Sequence, residues 1–255
     1  ELDRFSPALA EQERWLVFNK IDLMADDEAQ EQADAIVDEL FIRPGVRGRG
    51  IATEALIALP RALADFGLRI PKSVRCTSLD DVKDASEQVG FPQVLKGEGI
   101  AHKTEAGAVK LNLLTAPDTQ KAAGNMNAGS FLVEEMISGT VTELLIGVVR
   151  DPAHGFVLTL GAGGTLTEIL KDSASLLIPA SDAAIKETLS TLKIAPLLHG
   201  YRGAPAADLP AILKAINAVQ SYAIANAETL HEIEINPLIC TQIDAIAADA
   251  LLRRS

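Results

Sequence analysis

Between residues 129 and 163 the chain passes through three strand-like stretches, GSFLVEEMI, VTELLIGVVRD and GFVLTLGAG, each only three residues from the next. Apolar and β-branched residues alternate along them, and the turns are too short for the crossover that a parallel pair requires. Two more such stretches, HEIEINPLIC (231–240) and DAIAADAL (244–251), follow helical patterns at 181–193 and 208–228. Upstream, RIPKSVRC is a short extended piece, FPQVLKGEG a strand entering a glycine-punctuated loop, and AGAVKLNLL its return. In SLDDVKDASEQVG, Ser78 with Asp81 three residues on marks a helix start and Gly90 a helix stop. The prediction is α+β with mostly antiparallel sheets.

The first 60 residues have a different texture. WLVF reads as a buried strand, and DDEAQEQADAIVDEL as a helix with apolar positions at Ala29, Ala33, Ile36, Val37 and Leu40. FIRPGVRGRG, residues 41–50, is basic and rich in helix breakers, so it reads as a boundary loop. ATEALIALPRALADFGL then has helical spacing interrupted at Pro60. The expected division is an appendage over 1–40, a linker over 41–58 and the main domain over 59–255.

Composition narrows the function classes. A net charge of −12 without any Lys/Arg-rich run argues against nucleic acid as a partner. Aromatic residues make up 4% of the chain, which leaves few surfaces for stacking bases. Cys76 and Cys240 have no CxxC spacing, so neither a disulfide framework nor a cysteine zinc site is expected. No run of 18 apolar residues occurs, and the start carries no basic segment followed by an apolar one. The expectation is a cytoplasmic protein with no membrane partner.

Two short motifs at the front point elsewhere. Asn19-Lys20-Ile21-Asp22 has the letters of a guanine-reading loop. A GTPase also needs GxxxxGK[ST] to wrap the phosphates, which the sequence lacks. Residues 1–40 closely resemble the guanine-specificity segment of Obg-family GTPases, and GTP binding by this piece alone is not expected. Arg47, Gly50 and Ala52 fit R-x-x-G-x-A, which resembles the acetyl-CoA pyrophosphate loop of GNAT acetyltransferases. The strands that fold needs on both sides are missing, so a basic linker is the preferred explanation.

The chemistry-bearing residues lie further on. Lys96 at a strand end, His102 and Lys103 in the following loop, and Lys110 on the return strand place ammonium groups around a glycine-containing loop, a cradle for polyphosphate. Glu134 and Glu135 close an apolar strand, where backbone groups can meet an adenine edge and a carboxylate the ribose hydroxyls. LTLGAGGTLTEILKD supplies a glycine turn at Gly161, Gly163 and Gly164, with Glu168 and Asp172 beyond it. Glu234, Asn236 and Asp249 fall on neighbouring strands and offer oxygen ligands suited to Mg2+ shared with phosphates. His154, His199 and His231 sit in unlike contexts and read as structural.

With VLKGEGIAHKTEAGAVKL, FLVEEMISGTVTELLIGVVRDPAHG, LTLGAGGTLTEILKD, LLHGYRGAPAAD and EIEINPL…AADAL in this order, residues from about 60 to 255 resemble the ATP-grasp domain of ADP-forming acyl-CoA synthetases, relatives of the succinyl-CoA synthetase β subunit. The resemblance implies two α+β lobes around a cleft for ATP, with Mg2+ held by Asn236 and Asp249. It gives Lys96, with Lys103 and Lys110, the phosphates. Glu134, Glu135, Gly163, Gly164 and Glu168 would line the nucleotide site. His102 would be a phosphate relay or a loop hydrogen-bonding residue, and Arg202 a phosphate or lobe-closing contact. The carrier phosphohistidine and the CoA-binding region would come from a partner subunit. The alternative is a non-catalytic nucleotide-binding fusion or truncated chain.

Overall fold

Two antiparallel sheets, each backed by its own helices and apolar core, make up the architecture. The structure, a computed structural model, describes residues 62–98 and 108–254. The expectations for the appendage, the linker, His102 and Lys103 therefore lie outside the described residues.

The smaller sheet contains β1 (Ser73–Cys76), β2 (Gln93–Gly97), β3 (Val109–Leu113) and β4 (Phe131–Glu135), in the order β1-β4-β2-β3. Helices α1 (Leu79–Val89) and α2 (Ala116–Gly124) cover one face, where Val82, Ala85, Val89, Leu95, Ala123, Phe131 and Val133 bury one another. The capping box at the start of α1 is formed: Ser78 Oγ accepts from Asp81 N at 3.2 Å, and the Asp81 carboxylate accepts from Ser78 N at 3.0 Å.

The larger sheet contains β5 (Thr140–Asp151), β6 (Gly155–Ala162), β7 (Ser173–Leu177), β8 (Leu230–Thr241), β9 (Ala245–Ala247) and β10 (Ala250–Arg254). Its order is β10-β8-β5-β6-β7, with β9 also paired to β8. Helices α4 (Asp182–Thr191), α5 (Ala195–Leu198) and α6 (Leu209–Ala225) pack on one face; α3 (Thr167–Leu170) is a single turn after β6. Along β5, Thr142, Leu144, Ile146 and Val148 are buried, while Glu143, Leu145 and Gly147 alternate with them and stay partly open. That alternation puts one face on the core and leaves the other free to line a site.

Three features depart from the strand pattern in the sequence. The short turn between β4 and β5 is a crossing from one sheet to the other rather than a hairpin. The stretch 244–251 is broken into β9 and β10 at Ala248 and Asp249. β7 was not expected, because SASLL is an edge strand of small and polar residues whose pairing with β6 supplies what its apolar pattern lacks.

The chain crosses between the sheets twice among the described residues. Residues 62–69 belong with the larger sheet: Leu63 and Leu68 join its core, and the ring of Phe66 stands edge-on to Tyr222 at 5.3 Å. Residues 70–72 then lead into β1, and residues 136–139 lead back from β4 to β5. These crossings lie side by side, since Glu135 N donates to Lys72 O at 2.9 Å.

Candidate functional site

Cross-strand register decides which side chains of the smaller sheet face the larger one. Lys96 pairs with Leu132 and Val109, and Glu134 with Val94 and Ser73. These residues share the face opposite to Leu95 and Val133, which lie under the helices. Lys96 Nζ sits 2.5 Å from Glu134 Oε2 and donates to Ala248 O at 2.7 Å. Its side chain is 14% exposed, so both contacts are sheltered from water. Ala248 lies in the break between β9 and β10 of the larger sheet, next to Asp249. Lys96 therefore reaches across the gap between the sheets.

The same register separates residues that the sequence had grouped. Lys110 pairs with Leu95 and so belongs to the helix-covered side, not to the face of Lys96. Glu135 follows Glu134 and faces the other way: its Oε1 accepts from Arg69 Nη2 at 3.3 Å and from Lys72 N at 3.1 Å, at the crossings. A strand has period two, and adjacent carboxylates cannot both serve one face.

On the larger sheet, a bulge shapes the site. Leu144 pairs with Leu238 and Ile146 with Ile235, so the single residue Leu145 opposes both Asn236 and Pro237. A bulge re-aims side chains at such a point. Asn236 Oδ1 accepts from Gly164 N at 2.8 Å, and Asn236 N donates to Asp249 O at 3.2 Å. Gly163 N donates to Glu143 O at 2.9 Å, which brings the glycine turn against β5. A Cβ on Gly163 would stand 2.4 Å from the Leu144 carbonyl carbon. At Gly164 (φ +64°) a Cβ would stand 1.7 Å from Glu143 Oε2. Glu143 is thus a member of this group that the sequence analysis missed. Its only signal was one carboxylate inside the apolar strand TVTELLIGV.

Glu234 is raised above the ordinary glutamate pKa, first by burial and then by the carboxylates of Glu232 and Asp249; Arg253 and a hydrogen bond with Asn236 act the other way. A folded pKa above the unfolded one means that ionising Glu234 costs stability, a cost absent below the ordinary value and complete once pH passes the raised one. Glu234→Gln is therefore expected to be more stable than the parent at neutral pH, with the difference vanishing near pH ~4. Denaturant unfolding at the two pH values checks this.

Asn236 and Asp249 offer oxygen donors only, which is the right chemistry for a hard cation. Among the described residues no group of three or more His, Cys, Asp or Glu gathers as a metal cluster. Asn236 and Asp249 would supply two ligands, and phosphate and water the remainder.

Asp172 and Arg202 make other contacts. Asp172 accepts from Lys193 N and Ile194 N at 2.9 and 3.1 Å and pins the chain before α5. Glu168 belongs to α3, and its side chain lies outside the described residues. Arg202 stacks on the Tyr201 ring at 5.2 Å, beside a cavity of about 190 Å³ lined by Gly139, Thr140, Tyr201 and Gln242. Thr140 pairs with Thr241, which lies along β8 from Asn236 by on the order of 16 Å. The ring contact of Arg202 is with Tyr201 rather than with Lys96 or Asn236. His154 pairs with Asp151 at 2.8 Å within the β5–β6 turn.

Residues 48–253 match the ATP-grasp domain family. Trans-feruloyl-CoA synthase FCS1, from an unknown prokaryotic organism, is 33% identical over 237 residues, covering 87% of this chain and 33% of that protein. The chain thus spans about a third of the length of that relative. The β subunit of ADP-forming acetate–CoA ligase II of Pyrococcus furiosus is 28% identical over 190 residues, 70% of this chain and 80% of that subunit. Among solved structures, the dinucleotide-forming acetyl-coenzyme A synthetase 1 of Ca. Korarchaeum cryptofilum superposes with a TM-score of 0.66 at 28% identity, covering 76% of this chain and 88% of that one. That structure is a complex with coenzyme A and Mg-AMPPCP, its phosphohistidine segment pointing towards the nucleotide binding site. No described helix is long and apolar enough to cross a membrane.

Proposed function

Because the chain belongs to the ATP-grasp family, we propose that it is the ATP-grasp component of an ADP-forming acyl-CoA synthetase and binds Mg·ATP between its two sheets. The observation that carries this is the reach of Lys96 from β2 to Ala248, which sets an ammonium beside Asp249 and hence beside Asn236. An ammonium on one side and two oxygen ligands on the other suit a triphosphate lying between them.

In the proposed reaction the γ-phosphoryl group of ATP passes to a histidine on a partner subunit and from there to a carboxylic acid. The thiol of CoA then displaces phosphate from the acyl phosphate, giving acyl-CoA. Lys96 holds phosphate oxygens, and Glu134 holds Lys96 in place until they arrive. Glu143 and the Gly163–Gly164 turn fix the position of Asn236. Bound Mg2+ would screen the charge of the phosphates, with Asn236 and Asp249 as its protein ligands. The partner supplies the CoA-binding region and the phosphohistidine. Both cysteines are free, which suits the cytoplasm. We keep residues 1–40 as an appendage and 41–58 as a linker in this proposal; the family match begins inside that linker.

Calorimetric titration with ATP and GTP, each with and without Mg2+, tests the nucleotide. ATP is expected to bind in a Mg2+-dependent way and GTP at least about tenfold more weakly, a difference of about 1.4 kcal/mol. A preference for GTP would overturn the assignment. The phosphoryl step is tested by adding a CoA-binding subunit that carries the histidine and following label transfer from [γ-32P]ATP.

A further inference from the structure

Arg69 occupies the place where the two crossings meet. Its backbone is fixed to the larger sheet: Ala247 N donates to Arg69 O at 2.9 Å, and the residue bridges Ile246 in parallel. Its Nε is 3.0 Å from Asp244 Oδ2, on the turn between β8 and β9. The Asp244 contact orients the planar guanidinium so that Nη2 meets Glu135 Oε1 at 3.3 Å, at the end of β4 in the smaller sheet. Glu135, which borders the return crossing, also accepts from Lys72 N, so one carboxylate joins both crossings. The preceding residue, Glu134, holds Lys96 on the opposite face. The dipeptide Glu134-Glu135 thus ties the hinge on one side to the ammonium at the cleft on the other.

We propose that Arg69 is a hinge clasp that holds the two lobes in the relation that sets Lys96 against Ala248, before any nucleotide arrives. The clasp is partly exposed, with the Arg69 side chain 44% and Glu135 31% accessible, so each ion pair is individually weak and sensitive to salt. That weakness suits a hinge: it biases the lobe angle without locking it. The inference concerns the nucleotide-free chain and does not depend on what fills the cleft.

Distance measurement by double electron–electron resonance tests it on the full chain without nucleotide. Spin labels at Lys83→Cys on α1 and Lys186→Cys on α4 report the lobe separation, both positions being exposed. Cys76 and Cys240 are fully buried, with thiols pushed up to about 11 and about 12, so they do not compete for label. The parent is expected to give a main distance with a minor population at longer distance. Arg69→Met should raise the population at longer distance by roughly threefold, the size expected from losing weak ion pairs. Asp244→Asn, and the parent in about 1 M NaCl, where screening acts within about 3 Å, should shift the same way. The last two arms decide the matter should Arg69→Met fail to fold. An unchanged distribution in the folded variants, even with a lowered melting temperature, would make Arg69 an ordinary stabilising residue and overturn the proposal.

Discussion

Lys96→Met is expected to abolish measurable ATP binding and to lower the unfolding free energy by about 3 kcal/mol, the cost of removing one partner of a sheltered ion pair. Lys96 is 14% exposed and Glu134 9%, so the carboxylate left behind cannot recover its hydration fully. The bond to Ala248 O, which joins the smaller sheet to the segment carrying Asp249, is lost with it. The two losses separate in a second variant. Lys96→Met combined with Glu134→Gln removes the carboxylate that lost the Lys96 ammonium and should regain much of the stability while ATP binding stays absent. Denaturant unfolding reads the first effect and calorimetric titration the second. Should the single variant bind ATP as the parent does, Lys96 is no phosphate ligand.

Gly163→Ala is expected to cost about 3 kcal/mol, at the upper end for inserting one carbon into a packed site. The added Cβ would lie 2.4 Å from Leu144 C, 2.5 Å from its O and 2.9 Å from its N. All three are backbone atoms of the central strand β5, held between β6 and β8, and they have nowhere to go. The turn must shift instead, and the Gly164 N–H that holds Asn236 Oδ1 shifts with it. Gly164→Ala makes a useful contrast. Its φ of +64° costs an alanine about 1 kcal/mol, but the atom it meets is the tip of the Glu143 side chain, which can swing aside. The expected order is therefore a large stability loss at Gly163 and a smaller one at Gly164. Thermal or denaturant unfolding of both variants checks it; equal losses would mean that the turn does not press on β5.

Much of the fold was legible because its signals are local. The capping box of Ser78 and Asp81, the alternation along β5 and the helical spacing of α6 are each set by residues close in sequence, and each formed as expected. The antiparallel pairing followed from the same alternation, and its division between two lobes from the family resemblance. What was not legible depends on register. Lys96 and Lys110 both flank the glycine loop in the sequence, yet pairing with Leu95 turns Lys110 to the opposite face. Between Lys110 and Leu113 the register slips, with Asn112 at φ 56°, and no apolar pattern announces such a slip. Glu134 and Glu135 were grouped by proximity, whereas period two separates them. Glu143 went unnoticed because its approach to Gly164 depends on how the turn after β6 folds against β5. Arg202 was placed by motif order alone, and its described ring contact is with Tyr201.

The most direct test is a crystal structure of the chain with Mg2+ and the non-hydrolysable analogue AMPPCP. The expected result places the phosphates between the Lys96 ammonium and a metal ion held by Asn236 and Asp249, with Lys96 drawn away from Ala248 O. A nucleotide bound anywhere else, or a metal that leaves both Asn236 and Asp249 untouched, would contradict it.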